Sequence, residues 1–298
     1  MSAVLKITRA GPLTSIQDLG RFGMLRHGIS ASGPMDRMAY LAAGQLAGGG
    51  QGGLEFTMAG LELTLASGRC RVGFSGGNFV IRRNGQALAW DGTAELNPGD
   101  TLAITPGAWG NYGYLRFDGD IAVPPMMGSI ATSSRAGLGG LDGRALRVGD
   151  VIELSGSGGA PSLPLIAERQ TGPIRVIWGI HADLFAPNIR QRFLDVSFSI
   201  SSRLDRMGVR LEDRAEVFAH SSNLSLVSNA IVPGDIQILG DGTPIVLMRD
   251  HQPTGGYPRI ATVITADLDR FAQLRPGSAV AFQPVTLEHA QALLRGRP

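Results

Sequence analysis

Carboxylates, guanidiniums and amide side chains cluster in this sequence inside short turns framed by glycine and proline, a setting that can aim polar groups at a ligand. Three segments concentrate them. The first runs Gly11-Pro12-Leu13-Thr14-Ser15-Ile16-Gln17-Asp18-Leu19-Gly20-Arg21-Phe22-Gly23 and resumes at Ser32-Gly33-Pro34-Met35-Asp36. The second is Ser201-Ser202-Arg203-Leu204-Asp205-Arg206-Met207-Gly208. The third is Pro233-Gly234-Asp235-Ile236-Gln237, followed by Met248-Arg249-Asp250-His251-Gln252-Pro253-Thr254-Gly255-Gly256-Tyr257-Pro258. Carboxylates can move protons, while guanidiniums and closely approaching backbone N–H groups can steady negative charge. Lys6 is the sole lysine and Cys70 the sole cysteine. Any proton transfer therefore falls to carboxylate, tyrosine or histidine.

Other chemistries lack their residues. Schiff-base catalysis, a P-loop lysine and a lysine-attached biotin each need a lysine in a defined context, and Lys6 sits in none of them. No G-x-x-x-x-G-K-[ST] and no G-x-G-x-x-G occurs. His27, His181, His220, His251 and His289 are scattered without paired ligand spacing, so no metal site is expected. Gly73-Phe74-Ser75-Gly76-Gly77 fits G-x-S-x-G, but a nucleophile elbow needs a helix after it. Asn78–Arg82 reads instead as a strand entering an Asn84-Gly85 turn. Asn223-Leu224-Ser225 matches the glycosylation triplet with nothing else to support it.

The elements that must position these groups read as mainly β. Leu61–Leu65 and Thr101–Thr105 alternate apolar and polar residues, one face buried and one wet. A turn followed by an apolar strand recurs at Pro98-Gly99-Asp100, Val148-Gly149-Asp150, Pro233-Gly234-Asp235 and Pro276-Gly277-Ser278. Their irregular spacing excludes a solenoid and suggests barrel-like β architecture in both halves. Helical patterns are few. One begins near Ser32–Asp36 and ends at Gly48-Gly49-Gly50; Ala182–Leu194 is a second, strained by Pro187. Asp267–Leu274 and Thr286–Leu294 are short helices near the C-terminus. Ser155–Pro164 reads as a linker, dividing the chain into domains 1–165 and 166–298.

A length of 298 residues suits two domains, and 43% hydrophobic with 17% charged residues excludes disorder. No apolar run reaches membrane-spanning length, and no signal peptide is expected. A net charge of +2 gives no argument for nucleic acid. The expected setting is cytoplasmic.

The glycine-framed segments also carry a specific resemblance. S-I-Q-D-L-G-R near the start, S-G-P-M-D-R at a helix entry, D-R-M-G-x-R-L in the second half and T-G-G-Y-P near the end occur in that order. Together they resemble the family called allophanate hydrolase subunit 2, biotin-dependent carboxyltransferase family protein or the C component of 5-oxoprolinase. One region departs from that family's pattern. Where it tends to show G-G-I and then G-S-R-S-T, this chain has Gly119-Asp120-Ile121 and Gly128-Ser129-Ile130-Ala131-Thr132, without the arginine.

The resemblance implies two cyclophilin-like β-barrel domains. It implies a companion subunit, of the family that unites allophanate hydrolase subunit 1 with the B component of 5-oxoprolinase, and a small amide or lactam substrate. The activity implied first is ATP-dependent opening of 5-oxoproline to glutamate, with ATP bound by the complex rather than by this chain. Alternatives are transfer of a carboxyl from carboxybiotin, carried on another protein, to urea or a related amide, and non-catalytic antagonism of a kinase inhibitor. Amide chemistry needs a base near the N–H and donors at the oxygen. Asp250 is the first choice for proton transfer, with Asp205, Arg206 and Tyr257 completing the catalytic set. Gln17, Asp18, Arg21, Ser32, Asp36, Gln237, Thr254, Gly255 and Gly256 are the expected substrate-binding residues, converging with that set in one cleft. Each aspartate also has a plainer use, as an ion-pair partner, a helix cap or a turn former.

Overall fold

The computed structural model describes residues 2–156, 158–164, 170–219 and 226–296. The expected boundary at 165, His220 and the Asn223 triplet lie outside these residues. The chain is mainly β, 38% strand against 15% helix among the described residues, with a nearly closed barrel-like sheet. It divides into two compact units, Met1–Gly23 with Ala31–Glu168 and Met24–Ser30 with Arg169–Pro298.

In the first unit a seven-stranded sheet runs, edge to edge, Asp120–Ile121, Val151–Ser155, Ala3–Ala10, Leu61–Ser67, Thr101–Pro106, Phe79–Arg83 and Gln86–Leu88. A five-stranded sheet runs Ser15–Gln17, Gly53–Thr57, Tyr112–Phe117, Cys70–Gly76 and Gly92–Leu96. All these pairings are antiparallel. Alternation does the work expected of it: Leu61, Leu63 and Leu65 are fully buried in the core with Leu5, Ile7 and Phe56. Helix α1 (Arg37–Ala47) starts where the Asp36 carboxylate accepts the Ala39 N–H at 3.0 Å and stops at left-handed Gly48.

The second unit has an eight-stranded sheet ordered Ala279–Val280, Phe198–Leu204, Gly208–Glu212, Pro244–Leu247, Asp235–Ile238, Arg259–Val263, Ile174–Trp178 and Phe282–Pro284. Ala279–Val280 pairs antiparallel with one edge, and Phe282–Pro284 pairs parallel with the other. One short segment thus joins both edges of the sheet. Inside, Phe193 stacks on Phe282 with centroids 4.9 Å apart, and Phe198 on Phe218 at 6.3 Å. A small ribbon pairs Asn229–Ala230 with Thr254–Gly255. The helix expected over Ala182–Leu194 is two pieces, a 3-10 turn at Ala182–Leu184 and α2 (Pro187–Asp195). Pro187 opens α2 instead of straining it, because the first helical residue has no N–H to satisfy. Helices α3 (Thr265–Ala272) and α4 (Leu287–Arg295) follow, the latter capped by Thr286.

The recurring turns share a mechanism. Gly99, Gly149, Gly234 and Gly277 all have positive φ, between 82° and 96°. In three copies the aspartate accepts the N–H three residues earlier: Asn97 to Asp100 at 2.9 Å, Arg147 to Asp150 at 2.7 Å, Val232 to Asp235 at 3.0 Å.

Asp267, in the first turn of α3, is fully buried and accepts hydrogen bonds from Arg175 and Arg270. Burial alone would raise its pKa, but those donors outweigh it and hold the carboxyl below its usual 3.8. Its stabilisation is therefore complete above the unfolded value and lost as pH falls through the folded one. Urea unfolding of the wild type should show stability falling below pH 4, and Asp267→Asn should flatten that part of the profile.

Candidate active site

In the first unit, Gln17 ends the strand Ser15–Gln17 and is fully buried. Its Nε2 donates to Ser15 Oγ at 2.9 Å and to the Thr132 carbonyl at 3.2 Å, while its Oε1 meets no donor. Asp18 clamps the loop opposite. Its carboxylate accepts from Gly20 N at 2.8 Å, Ser129 Oγ at 2.6 Å and Ile130 N at 2.8 Å. Arg21, 1% exposed, donates to the Ala131 carbonyl. Gln17, Asp18 and Arg21 thus come together on the segment Ser129–Thr132.

The two glycine signatures of this unit pack backbone on backbone. A Cβ on Gly20 would lie 2.7 Å from Ala31 O, and one on Gly33 2.9 Å from Leu19 O. Ser32 adjoins this contact in a left-handed conformation, buried, with no partner for its hydroxyl. Asp36 is occupied at the start of α1. Where the family pattern has an arginine, Ile130 lies in the hydrophobic core.

Four buried residues with polar groups that the sequence left unmarked, Glu55, Tyr114, Arg116 and Tyr40, link these segments. Glu55, fully buried, accepts the Met35 N–H and the Tyr114 hydroxyl, each at 2.8 Å. The Tyr114 oxygen in turn accepts the Asp36 N–H at 2.7 Å. Burial, with Glu55 and Asp36 nearby, pushes the Tyr114 pKa well above its usual value. Arg116 lies over the Tyr40 ring, 4.1 Å from its centroid, and Tyr40 donates to the Gln17 carbonyl at 3.1 Å. Burial raises the Tyr40 hydroxyl to about 12, against the pull of Arg116. Tyr40 and Tyr114 are thus held protonated at neutral pH, as hydrogen-bond donors. Glu55 and Arg116 stand in strands that read as continuous β segments, so only their charge inside an apolar run could have marked them.

In the second unit, Arg206 and Asp250 form a bidentate ion pair, Nε to Oδ2 at 2.9 Å and Nη2 to Oδ1 at 3.2 Å. Both side chains are nearly covered, at 7% and 4% exposure. Asp250 N–H also donates to the Arg206 carbonyl at 2.7 Å. Asp250 is therefore not a free proton acceptor: both its oxygens already face a guanidinium. His251 is buried beside it, and burial lowers its pKa from the usual 6.5. Asp205 is exposed and builds a turn, accepting from Met207 N at 2.7 Å and Gly208 N at 3.1 Å.

Gln237 is buried, and its Nε2 meets no acceptor. It faces Gly255, where a Cβ would stand 2.5 Å from that nitrogen. Gly256 is packed likewise, its missing Cβ 2.7 Å from Leu226 O. The expected rim of Thr254–Tyr257 is thus a ribbon pressed over Gln237, with the Thr254 and Tyr257 side chains exposed. Next to it a second buried pair, Arg259 with Asp235 at 3.1 Å, fixes the start of the adjoining strands. No group of histidine, cysteine, aspartate or glutamate among the described residues could hold a metal ion.

Comparison with known proteins gives one family over most of the chain. The family model described as carboxyltransferase domain, subdomain A and B, matches residues 27–284. The C component of 5-oxoprolinase from Escherichia coli (strain K12) is 34% identical, over 96% of this chain and 93% of its own length. The urea amidolyase of Saccharomyces cerevisiae is 29% identical over 97% of this chain, which spans 17% of that protein. Among solved structures, the K. lactis urea amidolyase superposes with a TM-score of 0.87 at 28% identity. That match covers 98% of this chain and 19% of the larger one.

Proposed function

Since the chain belongs to the carboxyltransferase domain family, subdomains A and B, we propose that it is one subunit of a complex that processes amides, and specifically the C component of a 5-oxoprolinase. The observation that carries this reading is the end-to-end alignment with two proteins of that name, over 93% and 91% of their lengths. The reaction is ATP-dependent opening of the 5-oxoproline lactam to glutamate. ATP is held by the complex, and the companion belongs to the family of allophanate hydrolase subunit 1 and the B component of 5-oxoprolinase.

A lactam carbonyl is a weak electrophile, so ring opening depends on donors at its oxygen and on controlled proton transfer. Thr254 on the ribbon and Tyr257 just beyond it are exposed and the first of the expected site residues to meet substrate. Gln237, beneath Gly255, supplies an unused Nε2 donor for a carbonyl once the ribbon lifts. The Arg206–Asp250 pair ties the segment that leads into the ribbon to the turn at Asp205–Gly208.

A second reading is supported by the family description and by the superposition on urea amidolyase. There the chain moves a carboxyl group from carboxybiotin on another protein to urea. One experiment separates the two. The chain is co-purified with its companion subunits, then assayed for ATP-dependent glutamate release from 5-oxoproline and for bicarbonate incorporation into urea. Glutamate formed only with all subunits present is the expected result. Urea carboxylation without glutamate release would overturn it in favour of the second reading, and neither activity would favour a binding protein.

In both readings biotin is absent from this chain. Lys6 lies inside the strand Ala3–Ala10, paired to Val151 on one side and Thr64 on the other, rather than in an exposed turn. Streptavidin blotting of the purified chain should be negative; a positive band would refute the assignment.

A further inference from the structure

Arg116 is the single charge in Tyr112–Phe117, a strand buried along its whole length. It is 8% exposed, yet it forms no salt bridge among the described residues. Its acceptors are two carbonyls, Tyr40 O at 3.4 Å and Gly50 O at 2.6 Å, and its Nε has none. A guanidinium offers five N–H donors, so most of this one's capacity is unused.

The surrounding chain makes room for it. A Cβ at Gly44, inside α1, would stand 2.9 Å from Nη1, and one at Gly53 would stand 2.3 Å from Cδ. Glycine weakens a helix interior, so its presence at 44 marks a close approach that another residue would block. Beside the guanidinium opens a cavity of about 390 Å³, lined also by Leu41, Gln45, Gly49 and Ser162, with no carboxylate among the lining residues. Asp18 and Asp120 act on the guanidinium only through space, without bonding it, and the end of α1 adds no free acceptor. Its carbonyls at Gly44, Gln45 and Gly48 already accept N–H groups from Gly48, Gly49, Ser162 and Gly159.

We propose that this cavity binds a small carboxylate, with the Arg116 guanidinium as its counter-ion. Resting on the lactam reading, that group is the carboxylate of 5-oxoproline. Urea and other neutral amides lack it, so Arg116 acts as a specificity determinant for a carboxylated substrate. The same donors would suit phosphate or bicarbonate, and the test therefore carries those ions as separate arms.

Calorimetry and thermal shift of the full chain, at constant ionic strength, use 5-oxoproline, acetate, 2-pyrrolidinone, phosphate and bicarbonate. The expected result is binding of 5-oxoproline, weaker binding of acetate and none of 2-pyrrolidinone, which has the lactam without the carboxylate. Gln45→Glu, an exposed change that sets a carboxylate at the mouth, should keep the wild-type melting temperature and weaken 5-oxoproline at least tenfold. Arg116→Lys, which keeps the charge but loses the fork, should weaken it as well. Equal binding of 2-pyrrolidinone, no binding of any carboxylate, or affinity unmoved by Gln45→Glu would overturn the proposal. So would a preference for phosphate or bicarbonate. Failure of the lactam reading looks different: carboxylates still bind and respond to Gln45→Glu, but the assembled complex releases no glutamate.

Discussion

Asp250→Asn should destabilise the second unit by about 3–5 kcal/mol, the usual cost of removing one partner from a buried ion pair. The asparagine fits the same space and keeps the backbone bond to Arg206. What it removes is the charge of the carboxylate that pairs with both Nε and Nη2 of Arg206, a cation only 6% exposed. Urea unfolding of the wild type and the variant measures the loss. The paired replacement Arg206→Met with Asp250→Leu should recover most of it, since an apolar pair carries no desolvation penalty. The same variant decides whether Asp250 also moves protons. Assayed in the complex at a temperature where Asp250→Asn is still folded, a positioning role leaves turnover within severalfold of wild type. A proton-transfer role instead costs roughly 10²-fold or more.

Gly73→Val should be comparably damaging, at about 3 kcal/mol, the upper end for overpacking in a well-filled core. Gly73 is the position where α1 rests on the strand Cys70–Gly76. A Cβ there would lie 2.2 Å from Ala43 O and 2.5 Å from Ala47 N, so any side chain must lift the helix off the sheet. Because α1 carries Tyr40 and starts at Asp36, the loss should appear as faster amide exchange along Arg37–Ala47 as well as a lower melting temperature. Wild-type exchange in that helix would show that the contact is not needed. This also explains the glycine of the G-x-S-x-G run. It serves helix packing, while Ser75 donates to Asp91 at 2.6 Å and the chain turns at Asn84-Gly85 into a hairpin.

Legibility in the sequence follows local physics. Asp36 as a helix cap, the Pro-Gly-Asp turns and the alternating leucines each express themselves within a few residues, and each is found where the pattern puts it. Pro187 is the local exception, because the helical pattern runs through a residue from which the helix in fact starts. Long-range pairings leave no such local mark. Arg206 and Asp250 stand 44 residues apart, and nothing in either turn names the other. Glu55 and Arg116 sit in segments whose neighbours are apolar, and only the fold shows that Tyr114 and Tyr40 meet them. Gly255 has the local form of a ligand rim; tertiary packing instead fills the space beside it with the Gln237 amide.

The segment that joins both edges of the second unit's sheet has a consequence for the order in which that unit can be made. Ile174 pairs with Phe282 and Phe198 with Val280, contacts across 108 and 82 residues. Such distant contacts slow folding, because the loop-closure entropy must be met before the pairing rewards it. During synthesis the six other strands of this sheet can associate as soon as they leave the ribosome. Both of its rims stay unsealed until residues 279–284 emerge. Open strand rims recruit other chains, so a nascent chain halted before Ala279 should be aggregation-prone. The interval between completing Arg259–Val263 and closing the seam is when a holding chaperone, or an already folded companion, would matter most to yield.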